Sequence, residues 1–123
     1  MAEKKFYTPE GIISGAEVAA DYAAAARFDT VRVGRRGVYY REGLRTRYIP
    51  YEYIERVFIR IQEVNARVCC GSTCFTYYRL VFMHGGKEFA DVLSESEKAM
   101  DGALACIKDA APGLSFGVPS DCA

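Results

Sequence analysis

Between residues 30 and 93 the apolar positions recur at every second residue, in short runs divided by turn-forming pairs. A chain so patterned builds this stretch from β-strands. The runs are TVRVG (30–34), GVYYRE (37–42), RTRYIP (45–50), ERVFIRIQ (55–62), FTYYRLVFMH (75–84) and KEFADVL (87–93). Arg35-Arg36, Glu42-Gly43-Leu44 and Gly85-Gly86 separate neighbouring runs and are tight enough for hairpins, so successive strands should pair antiparallel. Pro50 closes its run, where a missing N–H is tolerable. In ERVFIRIQ, Val57, Ile59 and Ile61 share one face and Arg56, Arg60 and Gln62 the other, with Phe58 breaking the polar side. Past Glu63 the apolar phase moves to Val64, Ala66 and Val68. Alternation cannot change sides without a bulge or turn, expected near 62–65, so 55–70 reads either as one bent strand or as two. Six or seven strands this short close most economically as a strongly bent sheet or a partly open small barrel.

Helices flank this segment. Ser14-Gly15-Ala16-Glu17 has the form of a capping box, and the Ala-rich AEVAADYAAAARF carries a helix to Phe28. Ser94-Glu95-Ser96-Glu97 repeats the box, and Met100, Ala103, Leu104, Ile107 and Ala111 then recur at helical spacing. Pro112-Gly113 stops that helix, whose Met100, Leu104 and Ile107 would plug one open end of the barrel. The expected fold class is therefore mainly β with flanking helices (α+β). One domain is expected over 1–123: an N-terminal helix at 14–28, antiparallel β structure at 29–93, a capping helix at 94–111 and a tail at 112–123.

Half of the 123 residues are hydrophobic, enough for a packed core. Formal net charge is zero, yet residues 27–67 hold ten arginines, no lysine and five acids. Long-range steering toward nucleic acid or an anionic membrane is weak for such a chain, and any such role must rest on a local patch. No apolar run has the length of a signal peptide or a membrane span, so a cytoplasmic chain with no transmembrane segment is expected. Five cysteines, an odd number, then imply free thiols.

The order GRRGVYYREG, YIPYEYIERV, RLVFMHGGKEFADVL and a closing helix resembles the bacterial pleckstrin-homology-like (PH-like) domains and the related GRAM domains, over about residues 29–111. In those families a hairpin ends in an Ile-Pro-Tyr step to the next strand, and a later strand pair leads into the helix that caps the barrel. Here the step is Ile49-Pro50-Tyr51, with Ile54 and Val57 following. The resemblance implies a partly open antiparallel barrel capped by the C-terminal helix, with the N-terminal helix as an extra element. Lipid-binding pleckstrin-homology domains carry basic residues at the first hairpin, and Arg32, Arg35, Arg36 and Arg41 fall near that place. A hairpin of about two residues leaves no loop to wrap a headgroup, so peripheral lipid contact is not expected.

CCGSTC (69–74) concentrates three cysteines. With Gly71 to Cys74 as the connection between strands, Cys69 and Cys70 point to opposite faces. Cys74 is then at best a diagonal neighbour of Cys69, about 7–8 Å away. That is marginal for a disulfide, and a zinc site needs four converging ligands. The single histidine, His84, lies ten residues further along. A hairpin tip with free thiols is the expectation, with no metal, no cofactor and no catalytic residues; no nucleophile–base pair can be assembled around His84. Tyr39, Tyr40, Tyr48, Tyr51, Tyr53, Tyr77 and Tyr78 are expected to cluster in one sheet. FTYYRLVFM is apolar on both faces, so the N-terminal helix, a partner chain, or both must cover its second face. A non-catalytic module that binds a protein or itself follows, with Phe75 and Tyr77 as contact residues and no nucleic-acid partner. The alternative is an anionic ligand or lipid headgroup held by the Arg-rich segment 32–47 through Arg32, Arg35, Arg36 and Arg41.

Overall fold

The computed structural model describes residues 4–68 and 71–117. The structure is mainly β with two helices. In chain order the elements are β1 (Phe6–Thr8), β2 (Gly11–Ile13), α1 (Ala16–Ala24), β3 (Ala26–Phe28), β4 (Val31–Val33), β5 (Gly37–Glu42), β6 (Arg45–Pro50), β7 (Arg56–Val68), β8 (Gly71–His84), β9 (Lys87–Ser94), α2 (Glu97–Ala110) and β10 (Ser115–Phe116). They form a six-stranded sheet in the order β2-β1-β6-β5-β4-β3 and a four-stranded sheet in the order β10-β7-β8-β9. The two sheets are not closed into a barrel.

Six strands, β4 to β9, occupy the segment where six or seven were expected, and each pairs antiparallel with its sequence neighbour within its sheet. Four more strands lie outside it. β1, which joins the β1–β2 hairpin to the sheet, pairs parallel with β6, and β10 adds a parallel edge pairing to β7.

The main core lies between the sheets. Val31, Val33, Val38 and Ile49 come from the six-stranded sheet, and Val57, Leu80, Phe82 and Val92 from the four-stranded one. Met100, Ala103 and Ile107 of α2 join them, each fully buried. Burial of this kind contributes roughly 1.5–3 kcal/mol for each large side chain. Leu104 is only partly buried at the rim of this core. A second, smaller cluster occupies the opposite face of the six-stranded sheet. There Phe6, Tyr39 and Tyr48 are buried under Val18, Ala19 and Tyr22 of α1 and Ala25 just past its end. The six-stranded sheet is thus covered on both faces, and small alanines let the short helix approach the aromatic rings closely.

Several boundaries differ from the sequence expectation. The first helix spans Ala16–Ala24, not 14–28, because Ala25 turns to an extended conformation (φ −66°, ψ 144°) and 26–28 pairs with β4. Its cap is Gly15 without any side-chain hydrogen bond, so the box at Ser14 does not form. The second helix begins at Glu97, capped by Ser96, whose Oγ accepts the Ala99 N–H at 3.1 Å. Ser94 instead donates its hydroxyl to Asp29 at 2.5 Å. β7 is one strand, and its pairing with β8 runs from Arg56↔Met83 to Val68↔Gly71 with no bulge at 62–65. The register shift lies between Phe82 and Met83, where β8 meets β9.

Candidate functional site

β9 pairs with β8 only from Tyr78 to His84, whereas β7 follows β8 all the way to Gly71. Beyond Ile61 and Tyr78 the four-stranded sheet therefore continues as a two-stranded ribbon. Among the described residues, none of that ribbon beyond Ile61 and Tyr78 belongs to a core cluster, which accounts for the phase flip. Alternation reports burial, and from Ile61 to Asn65 no residue of the strand is fully buried. On one face Ile61 is 63% exposed. On the other, Val64 lies opposite Phe75 and Gln62 opposite Tyr77. Phe75 is 40% exposed, and its ring sits 6.5 Å from that of Tyr77. Leu93 of β9, 42% exposed, is paired with Arg79 and extends the same face. The two contact residues expected from sequence thus stand side by side on an uncovered strand pair. α1 covers Tyr39 and Tyr48 and not this face. The tyrosines do not share one sheet: Tyr39, Tyr40 and Tyr48 lie on the six-stranded sheet, and Tyr77 and Tyr78 on the other.

Nearer the body of the sheet the same face changes character. Phe58 and Val81 are buried, with the Arg60 guanidinium 5.4 Å from the Phe58 ring centre. Arg60 is bound to Glu88, which it holds below the usual carboxylate range, and Arg79 reaches Asp91 at 3.2 Å and Gln62 at 3.0 Å. Here charged pairs and arginine stems cover the apolar side chains beneath, whereas Ile61 and Phe75 on the ribbon stay exposed.

The four arginines singled out from sequence do not form one site. Arg35 and Arg36 sit in the β4–β5 turn, where their N–H groups donate to the two Asp21 oxygens at 2.9 and 3.1 Å. The Arg36 side chain pairs with Glu17 at 3.0 Å. Arg32 and Arg41 instead line a cavity of about 290 Å³ beside Tyr22 and Tyr39, together with Arg27. Arg27 was missed because it read as helix; in β3 it becomes the direct cross-strand partner of Arg32.

Gly71 to Cys74, expected as the connection between strands, lie in a strand. β8 begins at Gly71, and Cys74 is a strand residue paired with Asn65. Cys69 and Cys70 lie outside the described residues. Cys74 and Cys106 are free thiols, and burial raises the pKa of Cys106 above its usual value. Among the described residues no group of three or more His, Cys, Asp or Glu is placed to hold a metal ion. His84 is more engaged than a plain turn residue. Its ring stacks on Tyr53 at 3.9 Å, and Nδ1 lies 2.7 Å from the Tyr53 carbonyl oxygen and 3.5 Å from Glu55. Among the described residues no helix is long and apolar enough to cross a membrane. No protein-family model, no curated protein and no solved structure matches the chain.

Proposed function

We propose that the chain is a non-catalytic, PH-like cytoplasmic module that associates with a second copy of itself through the β7–β8 ribbon. The observation that carries this reading is the ribbon itself. A two-stranded hairpin is marginal in water unless a hydrophobic face is packed, yet Ile61 and Phe75 stand open on opposite faces of this one. A partner that laid its own ribbon against either face would remove that apolar area from water, worth about 25 cal/mol for each Å². Tyr77 and Arg79 on the same surface are residue types common in interface hot spots.

The PH-like reading draws support from the Ile-Pro-Tyr step. Ile49, Ile54 and Val57 all reach the main core, and the Tyr51 hydroxyl donates to the Gly34 carbonyl at 2.5 Å. The α2 side chains Met100, Ala103 and Ile107 meet both sheets there, as a helix capping a partly open barrel would.

Sedimentation equilibrium over a wide concentration range tests the association. The parent chain should dimerise, and the Ile61→Ser, Phe75→Ser double variant should sediment as a folded monomer. A parent that stays monomeric at submillimolar concentration refutes self-association.

A further inference from the structure

Three arginines meet on the α1-covered face of the six-stranded sheet. Arg27 and Arg32 are directly opposite one another across β3 and β4, and Arg32 is opposite Tyr39 on β5. Arg41, two residues beyond Tyr39, shares its face, a diagonal step from Arg32. Like charges directly opposite on a sheet are destabilising. Arg36, Arg47, Arg60 and Arg79 each hold a carboxylate, while Arg45 lies over the Tyr7 ring and Arg56 donates to the Gly117 carbonyl. Among the described residues, Arg27, Arg32 and Arg41 hold no carboxylate.

These three side chains line the same cavity of about 290 Å³. Its one carboxylate is Asp29, which already accepts the Ser94 hydroxyl. Tyr22 forms a wall, with the Arg32 guanidinium 4.4 Å and the Lys4 ammonium 5.2 Å from its ring centre. Two neighbouring grooves lack this imbalance. One sets Arg35 and Arg36 against Glu17, Asp21 and Asp109, and the other sets Arg47 against Glu42 and Asp91.

We infer that the Arg27–Arg32–Arg41 cavity is a binding site for a phosphate monoester. Guanidinium forks match phosphate oxygens two at a time, and three forks on adjacent strands suit a doubly charged, compact group. Tyr22, over whose ring the Arg32 guanidinium and the Lys4 ammonium lie, holds Arg32 at the cavity wall. The bound phosphate would remove the repulsion between Arg27 and Arg32. The site leaves out Arg35 and Arg36, whose backbone and side-chain groups serve to fasten the turn to α1. It is independent of the ribbon, on the other sheet.

The test titrates the full chain with inorganic phosphate and phenyl phosphate by calorimetry. In parallel, the chain is spun with phosphatidylcholine vesicles with or without phosphatidic acid, which presents the same monoester on a lipid. Saturable soluble binding without pelleting identifies a free ligand. Pelleting only with phosphatidic acid identifies a lipid headgroup. In either case Arg41→Gln and Arg27→Gln should each weaken binding about tenfold, as expected for a charged hydrogen-bond pair, while Arg35→Gln leaves it unchanged. Arg41 is exposed, and unchanged thermal melting of Arg41→Gln verifies that the variant keeps the fold. Failure to bind any of these probes overturns the proposal. So does an equal loss in Arg35→Gln, which would reveal diffuse charge attraction in place of a site.

Discussion

The hydroxyl of Tyr39, on β5, donates a 2.7 Å hydrogen bond to Asp21 on α1, and the same carboxylate receives the N–H groups of Arg35 and Arg36. One side chain thus ties the helix to a strand and to the turn leading into it. Asp21→Ala should cost about 2–3 kcal/mol, the scale for losing hydrogen bonds to a charged group. Glu17→Ala removes only the exposed pair with Arg36 and should cost well under about 1 kcal/mol. Urea unfolding of the two variants measures the difference. Equal midpoints would mean that the aromatic cluster alone holds α1.

Two glycines that both lack room for a methyl group should respond very differently. A Cβ on Gly37 would run into the backbone carbonyl of Ile49 across the β5–β6 ladder, which cannot yield without breaking the pairing. Gly37→Ala should destabilise by about 2–3 kcal/mol. A Cβ on Gly102 meets only the Phe28 ring at 2.9 Å, and that half-buried side chain can turn aside. Gly102→Ala should be within about 1 kcal/mol of neutral, because alanine favours the helix. Thermal melts of both variants check the contrast.

Charge placed on α2 should report depth. Ile107 is fully buried between the sheets and Leu104 lies at the rim. Ile107→Asp should abolish cooperative unfolding, since an unpaired buried charge exceeds what a small domain can absorb. Leu104→Asp should leave a folded but weakened chain. Circular dichroism melts distinguish them, and equal effects would contradict the packing of α2.

Burial is the main cause that raises the phenols of Tyr39, Tyr40 and Tyr51, with Asp21 adding to the effect at Tyr39; Tyr40 is pushed up to about 12. A group whose folded pKa exceeds its unfolded value stabilises fully below the latter, and that stability is lost as pH rises further. The chain should therefore lose stability from about pH 10 upward. An absorbance titration should show these phenols ionising late, together with unfolding. A single step near pH 10 for all nine tyrosines in a folded chain would contradict their burial.

Much of the fold was legible where both ends of an element carry a signal. β5 and β6 have the bounds read from sequence, because Gly43 at φ 62° marks their turn and Pro50 closes the pair. The alanine run after Asp21 misled for the opposite reason. Local propensity continues the helix through Phe28, but pairing with β4 claims 26–28. That misreading also hid Arg27, and with it the company Arg32 keeps. The β1–β2 hairpin did carry a readable turn, Thr8-Pro9-Glu10-Gly11. There the Thr8 hydroxyl donates to the Gly11 carbonyl at 2.7 Å and accepts the Glu10 N–H at 3.1 Å. Strands of three residues, however, are too short for any period to show. Phe75 and Tyr77 were recognisable as an apolar excess, but their exposure depends on where β9 ends, which only the pairing register reveals.

Amide hydrogen exchange across residues 61–78, followed at low and high protein concentration, probes the ribbon most directly. Protection there should rise with concentration in the parent chain and stay low in the Ile61→Ser, Phe75→Ser variant, while β5 and β6 exchange alike in both. Ribbon protection that is the same at every concentration would contradict association through this surface.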